Sequence, residues 1–357
     1  MVELSKWWQN SASNRIVCSN MAFAQSSTPG SLIDQFGRRV TYLRISVTDR
    51  CDFRCVYCMA ENMTFLPRSE ILSLEEIAAI AAAFVDLGVD KIRITGGEPL
   101  VRKGVVDLMQ ELKRLPSLKE LVLTTNGSLL CSMADAIKEA GVRRVNISLD
   151  TLKPERFRQL TRVGDLQTVL NGIDAALGAG FDRVKLNSVI LKNRNDEEVA
   201  DLVDFAIGKG VDISFIEEMP LGHVDGRDRA EQYYSSDEIR QDLERAFALL
   251  PSAEQTGGPS RYYHVKGTRT KVGFISPHSH NFCGSCNRVR LTAEGRLLLC
   301  LGNEHSVDLK QVVRAYPGNS ELLRETIASA MTIKPERHEF ELSEQPVIFR
   351  HMSVTGG

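Results

Sequence analysis

The sequence predicts an α/β protein built on a parallel, barrel-type sheet. Two observations carry this. Between Val40 and Pro220 short β-branched or apolar runs alternate with longer amphipathic stretches, and polar loops follow the strand ends. Alternating strand and helix implies parallel strands joined by right-handed crossovers. Periodicity alone also fits a doubly wound open sheet. Five of the loops, "TDRCDFRCVYC", "GGEPL", "TTNGS", "SLDT" and "EEMPLG", place reactive residues just beyond strand ends, the face at which barrels gather their chemistry.

Six strands are expected, over 41–48, 91–96, 120–125, 144–149, 183–190 and 212–217. Helices are expected over 73–88, 105–115, 132–141, 166–180 and 196–210. The first opens on Ser73 with Glu76 three residues on, a capping box, and stops at Gly88. Past about Pro220 the alternation ends and the chain turns Gly-, aromatic- and β-rich, as in "KVGFISPHSHNFCGSC". Three regions are therefore expected: a poorly ordered, Ser- and Asn-rich extension over 1–35, a barrel over 36–229, and a second region over 230–357 that ends in Gly356-Gly357.

Lys plus Arg number 44 against 46 for Asp plus Glu, so the overall field draws the protein to neither nucleic acid nor an anionic membrane. No apolar run reaches the roughly 18 residues of a membrane span. A cytoplasmic protein is expected. In that reducing setting clustered cysteines more often bind metal than pair as disulfides.

Eight cysteines are present, and two groups of three account for six of them. Cys51, Cys55 and Cys58 fall at intervals that would align on one helical face. Charged neighbours and a position directly after a strand argue against a buried stripe. Structural zinc takes four protein ligands, and no fourth lies nearby. Three thiolates on a four-iron cluster leave one iron open to another ligand. Cys283, Cys286 and Cys300 form the second group, where half of a zinc ribbon completed by His278, His280 or His305 stays open. Cys18 and Cys131 stand alone.

The spacing of "CDFRCVYC", with Tyr57 before its last cysteine, and the "GGEPL" at 96–100 resemble the radical S-adenosylmethionine enzymes. The order of motifs from Val40 onward, including the second triplet, "NRVRLT" and the terminal Gly-Gly, resembles the GTP 3′,8-cyclases of molybdenum cofactor biosynthesis. That resemblance implies a partial (β/α)6 barrel closed by a C-terminal domain, with a [4Fe-4S] cluster on Cys51, Cys55 and Cys58 that binds S-adenosylmethionine. It implies a second [4Fe-4S] cluster on Cys283, Cys286 and Cys300 that binds the purine. The implied reaction removes hydrogen from C3′ of GTP and joins C3′ to C8.

By the same resemblance Tyr57, Gly97, Ser148 and Met219 contact S-adenosylmethionine. Arg44, Arg93, Thr124, Lys185, Arg288, Val289 and Arg290 contact GTP, with Thr125 an adjacent alternative to Thr124, and Gly356 and Gly357 assist catalysis. Implied partners are an electron donor that the sequence does not encode, a second copy of the chain, and cyclic pyranopterin monophosphate synthase, which takes the product onward. Residue chemistry alone leaves Arg44, Arg93 and Lys185 free to face either solvent or the interior. Arg288 and Arg290, two apart on a strand, share one side. Glu98 is a candidate acceptor for a ligand amine.

Overall fold

The structure, a computed structural model, describes residues 31–222, 229–254, 256–340, 348 and 350–356. The first thirty residues with Cys18, and the catalytic candidate Gly357, lie outside the described residues. Residues 31–35, inside the expected extension, carry a short strand. Leu32–Ile33 pairs antiparallel with Arg39–Val40, and Asp34 receives the Arg38 guanidinium at 2.6 Å.

Strands β1 (Tyr42–Ser46), β2 (Lys91–Thr95), β3 (Glu120–Thr125), β4 (Arg144–Ser148), β5 (Arg183–Val189) and β6 (Asp212–Ile216) fall where the sequence places them. Each neighbouring pair is parallel. The crossovers carry α1 (Leu74–Asp86), α2 (Val105–Lys113), α3 (Leu130–Glu139), α4 (Pro154–Thr161), α5 (Leu166–Gly178) and α6 (Val199–Lys209). The capping box of α1 is formed, with Glu76 N–H on Ser73 Oγ and Ser73 N–H on Glu76 Oε2. Helix α4 is absent from the sequence reading because only Phe157, Leu160 and Thr161 of its eight residues are buried, too few to print a period.

The C-terminal region completes the sheet at both edges. It supplies β7 (Leu249–Pro251), β8 (Arg261–Val265), β9 (Lys271–Ile275), β10 (Arg288–Leu291), β11 (Arg296–Leu298) and β12 (Ser306–Asp308). Strand β9 pairs parallel with β6, and β10 pairs parallel with β1. The order across the twelve strands is β12-β11-β10-β1-β2-β3-β4-β5-β6-β9-β8-β7. This region also holds α7 (Ser236–Glu244), α8 (Leu309–Ala315), α9 (Ser320–Ala330) and α10 (Met352–Thr355), a helical content that the sequence reading, weighted to Gly and aromatic residues, missed.

Alternation along the strands explains both the core and the cavity. Leu43 and Ile45, Ile92 and Ile94, Leu121 and Leu123, Val145 and Ile147, Val184 and Leu186 are buried in the apolar core with the helices. Burying one such side chain contributes about 1.5–3 kcal/mol. The residues between them, Arg44, Arg93, Asn146 and Lys185, are polar except for Val122 on β3, and they face the opposite side because successive strand side chains alternate.

Candidate active site

One cavity of about 310 Å³ is lined by all six clustered cysteines. Every described residue that the sequence reading assigns to S-adenosylmethionine or GTP lines it as well: Tyr57, Gly97, Ser148 and Met219, and Arg44, Arg93, Thr124, Lys185, Arg288, Val289 and Arg290. Gly356 adjoins it, its carbonyl accepting from Arg290 and, at 3.5 Å, from Arg44.

The first triplet sits on the loop after β1, in turn and extended backbone rather than helix, so the stripe reading fails. Arg54 and Val56 N–H donate to Thr161 and Leu160 carbonyls at the end of α4, and Phe53 meets Phe157 edge-on at 5.9 Å. Tyr57 donates to the Asp150 carboxylate at 2.6 Å. Gly97 explains its own identity: a Cβ there would lie 2.4 Å from the Arg50 carbonyl, so only glycine lets "GGEPL" approach the cysteine loop. Burial pushes the Cys51, Cys55 and Cys58 thiols up, Cys58 to about 12. Metal loading here must therefore displace protons.

Glu98 does not serve as a ligand for an amine. Its carboxylate is occupied by Leu100 N–H, Thr125 Oγ1 and Asn126 N–H at 2.7–3.0 Å, and it pins this loop to the end of β3. That bond also separates the two threonines: Thr125 is engaged by Glu98, while Thr124 Oγ1 accepts from Arg93 at 3.0 Å.

The second triplet lies between β9 and β10, with Cys300 just past β11. The Arg38 guanidinium donates to the Cys283 carbonyl at 2.9 Å, and the Lys334 ammonium lies 3.9 Å from Cys286 Sγ. None of the three candidate histidines completes a zinc site. His278 is held by the Glu218 carbonyl at 3.0 Å, His280 by the Asp237 carboxylate, His305 is exposed, and none lines the cavity. Among the described residues no three His, Cys, Asp or Glu side chains converge on a single ion. A cluster needs no such convergence, because each thiolate takes a different iron. The donor sets fit two three-thiolate clusters.

Between the triplets lies a basic wall. Strand register aligns Arg290, Arg44 and Arg93 in one row and Arg288, Tyr42 and Lys91 in the row before it. Lys91 and Arg144 share the Glu120 carboxylate, and Arg183 pairs with Asp212 at 2.8 Å. Arg93, Lys185, Arg288 and Arg290 have no carboxylate within 4.0 Å among the described residues, although Arg93 and Lys185 are only 7% and 8% exposed. Arg44, Arg93 and Lys185 all line the cavity, which settles the choice that residue chemistry alone left open for them. Buried cations without a counter-charge are costly, so the cavity selects an anion.

Sequence reasoning missed Tyr42, Lys91, Arg144 and Arg183, which also line the cavity. The signal was present: Tyr42, Lys91 and Arg183 each stand two residues before a predicted contact, hence on the same strand face. Burial would push the Tyr42 phenol up, but Arg93, Arg44 and Lys91 outweigh it and bring it down to about 7. A phenolate there competes with an anionic ligand for Arg93, whose Nε donates to it at 2.5 Å. Affinity for a triphosphate should therefore fall, relative to Tyr42→Phe, as pH rises through 7, by at most about tenfold per pH unit. Calorimetric titration with GTP from pH 6 to 8.5 checks this, and parallel profiles for the two proteins would refute it.

Comparison with known proteins agrees with this geometry. Residues 45–206 match the model of the radical SAM superfamily, and residues 211–340 match that of molybdenum cofactor synthesis C. Streptococcus suis SuiB bound to S-adenosylmethionine superposes with a TM-score of 0.58 at 16% identity, covering 81% of this chain and 69% of that one, a likeness of fold alone. Fold and site thus define a radical S-adenosylmethionine barrel with a cysteine-bearing C-terminal region. The GTP 3′,8-cyclase of Saccharophagus degradans is 59% identical over 93% of this chain and 100% of its own length. That of Ectopseudomonas mendocina is 61% identical over 91% and 98%. The chain belongs to the GTP 3′,8-cyclase family. No helix among the described residues is long and apolar enough to cross a membrane.

Proposed function

We propose that the protein converts GTP to (8S)-3′,8-cyclo-7,8-dihydroguanosine 5′-triphosphate, the first step of molybdenum cofactor biosynthesis, in the cytoplasm. The observation that carries this is the placement of four cations with no carboxylate within 4.0 Å among the described residues, Arg93, Lys185, Arg288 and Arg290, between two three-thiol sites in one cavity. Cys51, Cys55 and Cys58 hold one [4Fe-4S] cluster and Cys283, Cys286 and Cys300 the other. When bound, the first supplies the electron that cleaves S-adenosylmethionine to a 5′-deoxyadenosyl radical, the acceptor of hydrogen from C3′ of GTP.

The chain's own residues position the substrate. Arg44, Arg93, Lys185, Arg288 and Arg290 neutralise the triphosphate, about four negative charges, through planar forks and an ammonium. Thr124 orients Arg93, and the β10 backbone at Val289 keeps the two arginines on one side. Tyr57, Gly97, Ser148 and Met219 line the neighbouring end of the cavity, where they hold the cosubstrate. The α10 segment lies beside both: Met352 lines the cavity, and the Gly356 carbonyl caps Arg290. The tail thereby closes the cavity against water and fixes the arginines. A reducing protein, a second copy of the chain and cyclic pyranopterin monophosphate synthase complete the proposed setting.

Anaerobically reconstituted protein is expected to hold about eight iron per chain, two four-iron clusters. With reductant and S-adenosylmethionine it should release 5′-deoxyadenosine and a cyclised nucleotide only when GTP is present. Zinc without iron, or 5′-deoxyadenosine formation indifferent to GTP, would overturn the assignment.

A further inference from the structure

The side chain of Lys334 is 1% exposed, among the most deeply buried in the protein. Its ammonium donates to the Leu299 carbonyl at 2.6 Å and the Arg288 carbonyl at 3.2 Å, and stands 3.9 Å from Cys286 Sγ. No carboxylate lies within 4.0 Å of it among the described residues. Two carbonyl dipoles satisfy hydrogen bonds but do not neutralise a buried charge, and an ammonium left uncompensated in the interior is strongly unfavourable. The counter-charge must come from the thiolate side. The next two residues are fixed for the same purpose: the Arg38 guanidinium ties the Pro335 and Glu336 carbonyls, at 2.6 Å each, to that of Cys283. Arg38, between the paired strands Leu32–Ile33 and Arg39–Val40, thus anchors the chain just after Lys334, whose ammonium is aimed at the second triplet.

We propose that Lys334 is a positioning residue for the second [4Fe-4S] cluster: its buried ammonium is the cluster's counter-charge, retaining it and raising its reduction potential. A three-thiolate cluster is net negative in both oxidation states and more so when reduced, so a fixed cation a few ångströms away favours the reduced form. The inference rests on the reading that Cys283, Cys286 and Cys300 carry a cluster.

The test uses the full chain with Cys51, Cys55 and Cys58 replaced by alanine, reconstituted so that only the second triplet can load. An EPR-monitored redox titration compares this parent with its Lys334→Met and Lys334→Arg variants, with iron content and circular dichroism recorded for each. In Lys334→Met the ratio of reduced to oxidised cluster at a fixed potential should fall at least tenfold, about 59 mV for one electron. Lys334→Arg should stay within about threefold of the parent. Loss of iron from a folded Lys334→Met protein that Lys334→Arg retains also supports the role. An unchanged midpoint in an iron-replete Lys334→Met protein overturns it, as does equal loss of iron from both variants. A parent without iron would instead sink the cluster reading itself, and this inference with it.

Discussion

Replacing Cys283, Cys286 and Cys300 together by alanine is expected to halve the iron, from about eight to about four per chain, and to cut turnover at least about 100-fold. The two effects separate binding from chemistry. Arg93, Lys185, Arg288 and Arg290 remain in the cavity, so the triphosphate still has its cations and GTP affinity should weaken by no more than about tenfold, one factor of ten being about 1.4 kcal/mol. What is lost is the anchor at the far end of the nucleotide, and a reacting atom displaced by about 1 Å costs about 100-fold. Iron assay, equilibrium dialysis with GTP, and rates of 5′-deoxyadenosine release read the three quantities. Turnover within tenfold of the parent after loss of four iron would show that the second triplet has no part in holding substrate.

The tail gives the second large effect. Gly356 has φ +74°, a backbone region that side chains with a Cβ rarely adopt, and a Cβ there would lie 1.9 Å from Thr95 Oγ1 on β2. Gly356→Ala must therefore unseat α10 and withdraw the carbonyl that Arg44 and Arg290 share. The expected loss of turnover is at least about 100-fold, about 2.7 kcal/mol in the barrier, with both clusters intact. Removing Gly356 and Gly357 together should do the same. Full activity in either protein, with iron unchanged, would refute a role for the tail in the reaction.

Much of this site is legible in the amino-acid sequence, for identifiable reasons. Apart from β3, with its continuous Leu121-Val122-Leu123 run, strands β1–β6 print a two-residue alternation, and the cysteine spacing leaves a ligand short at each triplet. The same alternation locates Tyr42, Lys91 and Arg183 in principle, one step back along the strand from Arg44, Arg93 and Lys185. Other features have no local signal. The pairing of β10 with β1 joins Arg290 to Arg44 across the length of the chain, and nothing near either residue encodes it. Glu98 sits inside a ligand-binding motif, yet its carboxylate turns to Thr125 and Asn126, a direction that only the packed loops decide. Lys334 reads as an ordinary surface lysine until the fold buries it.

In the proposed reaction the cavity presents C3′ of GTP to the radical generated at the first triplet. Turnover with GTP carrying deuterium at C3′ tests it most directly. Mass spectrometry of the released 5′-deoxyadenosine should show one deuterium gained, and none when the label is placed elsewhere on the ribose. Unlabelled 5′-deoxyadenosine formed at the normal rate from the 3′-labelled nucleotide would show that hydrogen is not taken from C3′.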